Sequence, residues 1–204
     1  MPAPIVATRA IILKVHLSGD AFQQIQILSP EIGVVRCMRR MPQGKRPETQ
    51  IDIFDEADIH VELKENEYSG FLKGFELTFK RIGIGSSYET LAAASRLSRL
   101  LLENPILEES FQAMFNLTQK ALDALNDGKP PHATLLKTLF LYCRNEGYPV
   151  AEEWAQKLNP SMQEQVASIL NTPLLKMKKS EQDQSLAIES LANYLRAYTD
   201  IRFT

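Results

Sequence analysis

The chain has 204 residues, with 23 lysines and arginines against 25 aspartates and glutamates, so its formal charge is −2. Hydrophobic residues make up 44% of the chain and charged residues 24%. These proportions are typical of a globular protein and exclude a disordered chain, a collagen and a disulfide scaffold. The near-neutral charge also argues against a surface that coats nucleic acid or membrane as a whole, although it leaves room for a local basic patch.

The cysteines and the apolar runs bear on where the protein acts. Cys37 and Cys143 lie far apart and belong to no Cys-x-x-Cys pair, so we expect two buried, unpaired thiols. The longest apolar runs fall well short of the roughly 18 residues that cross a bilayer. The start, Met1–Pro4, has no basic or apolar region of the kind that opens a signal peptide. We therefore expect a cytoplasmic protein without a membrane partner.

About the first 80 residues carry apolar side chains at a period of two, the pattern of half-buried strands. In the clearest case Phe75, Leu77 and Phe79 alternate with polar residues. Five short strands in about 75 residues predict a small closed barrel. The predicted strands are Ile11–Ser18, Gln24–Ile27, Ile32–Met38, Asp58–Lys64 and Phe75–Lys80.

After Gly83–Gly85 the apolar spacing changes to three and four residues, which predicts helices. Ser86 with Glu89 predicts a capping box for the first helix, and Asn159 with Pro160 predicts the start of a later one. The fold is therefore predicted as α+β, with a barrel over residues 1–82 and an all-helical domain over residues 86–204. Ser180 predicts the start of the last helix. Inward positions are expected on three helices: Phe111, Met114, Phe115, Thr118, Leu122 and Leu125 on the second, Leu135, Leu136, Leu139, Phe140 and Cys143 on the third, and Ala187, Leu191, Tyr194, Leu195 and Tyr198 on the last.

Candidate catalytic groups are few. The Gly83–Ser87 stretch enters a helix as a phosphate loop would, but it lacks the lysine of such loops, so a linker is favoured. His16 and His60 occupy polar strand positions and are expected to face solvent. The pairs Glu108–Glu109 and Glu152–Glu153 lie near helix starts, where carboxylates complement the helix dipole. We therefore predict no enzyme, no catalytic residue, no metal and no cofactor.

One segment has an unusual charge. Residues 36–46 hold five basic and no acidic residues, which leaves the rest of the chain net acidic. Prolines and a glycine indicate that the second half is a loop after the third strand. A solvated surface without a ligand is the alternative, but a five-stranded barrel often presents one face and its loops to oligonucleotides. The predicted DNA-binding residues are Arg36, Arg39, Arg40, Lys45 and Arg46, extended by Arg9 and Lys14 on the first strand.

The aromatic residues available to that surface are scarce. Outside residues 71–80, which include the predicted fifth strand, the barrel region offers Phe22 and Tyr68, aside from Phe54. We therefore expect electrostatics, more than base stacking, to dominate any contact with nucleic acid.

Further motifs stand in a characteristic order. Thr8–Leu13 opens the first strand, Leu28–Gly33 makes a turn and the basic segment follows, while Ser87–Leu91, Glu146–Pro149 and Tyr198–Phe203 lie in the second half. In this order and spacing, over nearly the whole chain, they resemble the RecO family of bacterial recombination mediators. The resemblance implies that the barrel is an oligonucleotide-binding (OB) fold and that the protein acts, without catalysis, in DNA repair and recombination after DNA damage.

The resemblance also implies partners. Members of the family bind single- and double-stranded DNA, anneal complementary strands and, with a RecR-like protein, help to load recombinase onto DNA covered by single-strand-binding protein (SSB). Lys137, at the family's basic position, and Arg144 are the implied contacts for the acidic C-terminal tail of SSB. Such a protein is cytoplasmic and associates with the nucleoid when bound to DNA.

The chain departs from the family in two respects. Many members carry a four-cysteine zinc module where this chain has only Val150–Leu158, so zinc is not expected, and Trp154 and Leu158 are expected to cover the apolar surface left behind. Members are also often strongly basic, whereas this chain is not. A second hypothesis is therefore an adaptor that keeps the fold and the contacts with RecR and the SSB tail but has little DNA affinity.

Overall fold

The computed structural model describes residues 4–19, 21–41, 50–64, 69–177 and 182–204, with only the backbone described at 175 and 182–184. By their contacts the residues form two compact units. The first comprises residues 1–81 and 106–116, and the second comprises residues 82–105 and 117–204.

The first unit is built on a closed barrel of five strands. The strands are β1 (Ile5–Ser18), β2 (Phe22–Ser29), β3 (Gly33–Arg40), β4 (Glu56–Leu63) and β5 (Ser69–Phe79). Neighbouring strands follow the order β1-β2-β3-β5-β4, and β4 pairs with β1 to close the barrel. The pairing is antiparallel throughout except between β3 and β5. This is the strand order of an OB fold, as predicted.

The barrel core comes from alternate residues of each strand. Ile25 and Ile27 of β2 and Val35 and Cys37 of β3 are buried in it. In β1 the pairing with β2 shifts register between Ile12 and Lys14. Because of this bulge, Ile12 and Val15 both pack in the core although they lie three residues apart. The strict alternation predicted for the first strand is therefore broken, and the bulge fixes which β1 residues face outward.

The segment 106–116 belongs to the first unit, whereas the sequence-based domain boundaries assign it to the helical half. Its Phe111 is buried. Gly33, at the start of β3, has φ +66°, and a Cβ atom there would lie 2.5 Å from the Phe111 ring. The close approach of ring and backbone explains why glycine occupies this turn.

The described part of the second unit is helical, as predicted. The helices along the chain are α1 (Tyr88–Glu103), α2 (Phe111–Asn126), α3 (Pro131–Asn145), α4 (Val150–Glu153), α5 (Pro160–Asn171) and α6 (Gln182–Tyr198). Helix α3 packs against α1 and α6 and contributes Leu136, Leu139 and Cys143 to the buried core. The expected inward positions are buried except Tyr198, which is 74% exposed and packs on Tyr194 with ring centroids 5.4 Å apart.

Two predicted helix starts can be compared with the structure. Asn159 caps α5 as predicted, because its side chain accepts a hydrogen bond from the Met162 amide at 2.9 Å. The capping box at Ser86 is wrong. Ser86 ends a short 3₁₀ turn, and the N-cap of α1 is Ser87, whose hydroxyl accepts from the Thr90 amide at 3.2 Å. The predicted start at Ser180 lies outside the described residues.

The two cysteines and the lengths of the helices can also be compared with the predictions. Cys37 and Cys143 are unpaired and buried, as predicted. Burial raises the pKa of each thiol to about 12. Over the described ranges no helix combines the length and the apolar character that a membrane crossing requires.

Candidate functional site

The charged side chains of the barrel are divided by strand. Strands β1, β2 and β3 contain five basic residues and no acidic one, namely Arg9, Lys14, Arg36, Arg39 and Arg40. Strand β4 has the opposite composition, with Glu56, Asp58 and Glu62 and no lysine or arginine. Three adjacent strands therefore form a basic half of the barrel wall.

The register of these strands aligns their outward side chains in three rows. Lys14 lies opposite Gln26, which lies opposite Arg36. Because neighbouring strands are about 4.8 Å apart and residues rise about 3.3 Å along a strand, the backbones of Lys14 and Arg36 are about 10 Å apart and those of Arg36 and Arg40 about 13 Å. We call the outward residues of the three rows the basic face: Lys14, Gln26 and Arg36; His16, Gln24 and Met38; and Ser18, Phe22 and Arg40.

The cations of the basic face lie at the surface. The side chains of Lys14, Arg36 and Arg40 are exposed and form no ion pair or hydrogen bond with any described residue. Arg9 differs, because its Nε atom lies 3.8 Å from both Glu56 and Asp58 of β4. Arg39 alternates to the other side of β3 and is half-buried.

The structure therefore brings together only part of the predicted DNA-binding set. Lys14, Arg36 and Arg40 lie on one surface, and Arg9 lies apart from them with its charge facing β4. Arg36 and Arg40 are on β3 itself, which extends two residues beyond the predicted strand. Lys45 and Arg46 lie outside the described residues.

Sequence reasoning counted Phe22 among the available aromatic residues but did not place it on this surface, and it did not consider Phe71. Phe22 is 36% exposed and lies opposite Arg40, and Phe71 of β5 is 40% exposed and lies opposite Met38 at the edge of the basic face. The alternation along β2 would have indicated Phe22, but Phe71 depends on the pairing of β3 with β5. Together these residues place flat rings beside cations whose side chains have no ion pair among the described residues.

A second candidate site is a cavity of about 460 Å³ in the helical unit, bounded by α3, α5 and the 3₁₀ turn Ala155–Lys157. Positions three, four and seven residues apart on α3 share one face, so Lys137, Phe140, Leu141 and Arg144 line it together. Its opposite wall comes from α5, with Val166, Ala167 and Leu170. The cavity thus has an apolar floor between two cations, and the predicted pair Lys137 and Arg144 lies in it.

The two cations of the cavity differ in their hydrogen bonds and in their exposure. Lys137 Nζ donates to the carbonyl oxygens of Leu170 at 3.0 Å and Thr172 at 2.7 Å, at the C-terminal end of α5. Burial lowers the pKa of this ammonium. The Arg144 side chain is exposed and forms no hydrogen bond or ion pair with any described residue. Lys137 thus holds the end of α5, while the Arg144 guanidinium is open to a ligand.

Trp154 packs against Phe140, one of the residues that line the cavity. Its indole N–H donates to the Ser190 hydroxyl at 3.1 Å, and its ring packs on Phe140 with centroids 6.3 Å apart. Trp154 is buried and Leu158 is half-buried. The short connection between α3 and α5 therefore anchors one of the apolar residues that line the cavity.

The weak catalytic candidates have structural explanations. The Gly83 amide donates to Asn126 Oδ1 at 2.9 Å, and a Cβ at Gly83 would lie 2.2 Å from the Asn126 carbonyl oxygen. Glu153 accepts from the Tyr194 hydroxyl at 3.1 Å, and burial, together with this bond, raises the pKa of Tyr194 to about 12. Both histidines predicted on strands are exposed, as expected.

Comparison with known proteins yields no family for the chain: no protein-family model matches it, and no curated protein does. Membership of the RecO family stays a prediction based on the order of motifs.

Proposed function

We propose that the protein is a non-enzymatic mediator of DNA repair and recombination that binds single- and double-stranded DNA on the basic face. In this proposal it promotes annealing of complementary strands and helps recombinase loading together with a RecR-like protein and SSB. The observation that carries the proposal is that Lys14 of β1 and Arg36 and Arg40 of β3 face outward on one surface, formed by three strands that contain no acidic residue.

The proposed mechanism relies on charge neutralisation. Cations spaced about 10 to 13 Å apart on a sheet can each contact a phosphate along an extended strand. The two arginines can bind phosphate oxygens with both arms of the guanidinium, which fixes the strand more firmly than a lysine would. Contacts to the backbone leave base edges open, so a second strand can pair while the first is held.

The experiment is an annealing assay with complementary fluorescent oligonucleotides. We expect Arg36→Glu/Arg40→Glu to abolish the acceleration of annealing, with little change in the thermal unfolding midpoint because both side chains are exposed. The matched control is Lys120→Glu/Lys157→Glu, which makes the same change in net charge at exposed positions of the helical unit. Equal loss in both variants would assign the effect to net charge and contradict a site on the barrel.

A second candidate function is the adaptor, favoured by the cavity of the helical unit. Its apolar floor with the open Arg144 guanidinium suits a peptide that ends in a hydrophobic residue with a free carboxylate, which is the chemistry of the SSB tail. In the adaptor this contact, and not DNA binding, delivers the protein to its site of action.

The test of the adaptor is binding of a fluorescent acidic peptide with a hydrophobic C-terminal residue. We expect Arg144→Glu to weaken binding at least about tenfold because a carboxylate contact becomes a repulsion. Arg196→Glu, at an exposed position of α6, is the control and should bind normally. An adaptor would bind this peptide yet show no oligonucleotide binding at physiological salt. If Arg144→Glu bound the peptide as tightly as Arg196→Glu, the cavity would be excluded as the peptide-binding site.

A further inference from the structure

Two exposed phenylalanines on the barrel are not explained by phosphate binding. Phe22 and Phe71 are outside the buried core cluster of the barrel, whereas Phe75, on the same strand as Phe71, packs against that core. A partly exposed apolar ring forgoes part of the stabilisation that full burial would provide. Stability of the barrel therefore does not explain why these two rings lie at the surface.

The two rings lie at the edges of one apolar strip. Met38 of β3 is opposite Phe71, and Arg40, two residues further along β3, is opposite Phe22. Two strand spacings and two residues separate Phe22 from Phe71, so their backbones are about 12 Å apart. In the register Met38 lies between them, and Arg36 and Arg40 flank Met38 along β3.

The neighbours of the strip can contact nucleotides in other ways. Gln24 lies opposite Met38 and presents an amide that can donate to and accept from base edges. Lys73 Nζ lies 5.9 Å from the centroid of the Phe71 ring and forms an ion pair with Glu62 at 2.6 Å. The ammonium thus approaches one side of the ring while the ring keeps substantial exposure.

The chemistry of the strip differs from that of the cations in one respect. Lysine and arginine contact phosphates, which single strands and duplexes both present. An aromatic ring stacks on a base only when the base is not already stacked and paired within a helix. We propose that Phe22 and Phe71 stack on unpaired bases and give the basic face a preference for single strands over duplex.

This inference rests on the proposed DNA-binding function. It also implies that the protein binds the single-stranded substrate of annealing more tightly than the duplex product. A single strand is held by its phosphates and by two stacked bases. When the complementary strand pairs, these bases enter the duplex and leave the rings, so the product is held by phosphate contacts alone. The product therefore binds more weakly than the substrate, which favours its release.

The test compares a 20-nucleotide thymidine strand with a 20-base-pair duplex at one salt concentration. In Phe22→Leu/Phe71→Leu, the single-strand affinity should fall about tenfold or more, while duplex affinity changes less than about twofold. The dependence on salt should stay the same, because no cation is removed. The control is Phe79→Leu, which changes a 45% exposed phenylalanine elsewhere on β5 and should leave both affinities unaltered.

A second measurement uses the unmodified protein. Photo-cross-linking of the thymidine strand, followed by peptide mapping, should label the peptides that contain Phe22 or Phe71. Equal loss of single-strand and duplex affinity in the double variant, or no loss of either, would overturn the inference while DNA binding itself stands. A wild-type protein that binds neither form would overturn the proposed function and this inference together.

Discussion

At the scale of single residues, charge alone does not identify a ligand contact. Lys137 and Arg144 share one face of α3 and line one cavity. The ammonium of Lys137 already donates to two carbonyl oxygens at the end of α5, whereas Arg144 has no such bond among the described residues. Lys137 is therefore a residue that positions the cavity wall, with one of its three donors left for a ligand. Arg144 is the main carboxylate contact that we propose.

This division of roles predicts different effects on stability. Lys137→Met keeps the apolar stem but removes both hydrogen bonds, so the free energy of unfolding should fall by about 1–2 kcal/mol. Arg144→Ala should change it by less than about 0.5 kcal/mol, because the side chain is exposed. Urea unfolding of both variants checks the prediction. Equal stabilities would show that Lys137 does not hold α5.

At the scale of elements, the apolar period predicted the strands and helices but not their ends. The third strand runs to Arg40, two residues beyond its predicted end, because residues 39 and 40 continue the pairing with β2. This extension moves Arg40 from a predicted loop onto a fixed row of the sheet. The bulge at Ile12/Lys14 has a similar effect on β1, since it turns Lys14 outward.

The start of α1 shows how two neighbouring serines can mislead. Ser86 has Glu89 three residues later and therefore fits a capping box, but Ser87 has Thr90 at the same spacing and is the actual cap. Ser86 belongs to the preceding 3₁₀ turn and therefore cannot be the cap of α1. The residues of the helix itself do not indicate that turn.

The two serines provide a matched pair of variants. Ser87→Ala should lower the free energy of unfolding by about 1 kcal/mol, since the Thr90 amide loses its acceptor. Ser86→Ala should leave stability nearly unchanged, because Ser86 is exposed. Chemical denaturation measures both. A larger loss for Ser86→Ala would place the cap where the sequence predicted it.

At the scale of the whole molecule, the formal charge of −2 conceals a segregated distribution. Strands β1 to β3 are purely basic in their charged residues, and β4 is purely acidic. The sequence predicted the basic segment, the barrel and the helices. It could not show that Arg9 contacts Glu56 and Asp58, because that contact exists only when β4 closes the barrel against β1. The cavity likewise depends on α3 and α5 packing together.

The most direct test of the central claim, that the basic face binds DNA, is the affinity for a single-stranded oligonucleotide as a function of salt. Three phosphate contacts, at about 0.7 each, predict a slope near −2 for log affinity against log salt in the wild-type protein. Arg36→Glu/Arg40→Glu should lose measurable binding at moderate salt or show a slope near −1 or shallower. A wild-type affinity that does not depend on salt, or a variant that binds as tightly as the wild type with the same slope, would contradict the claim.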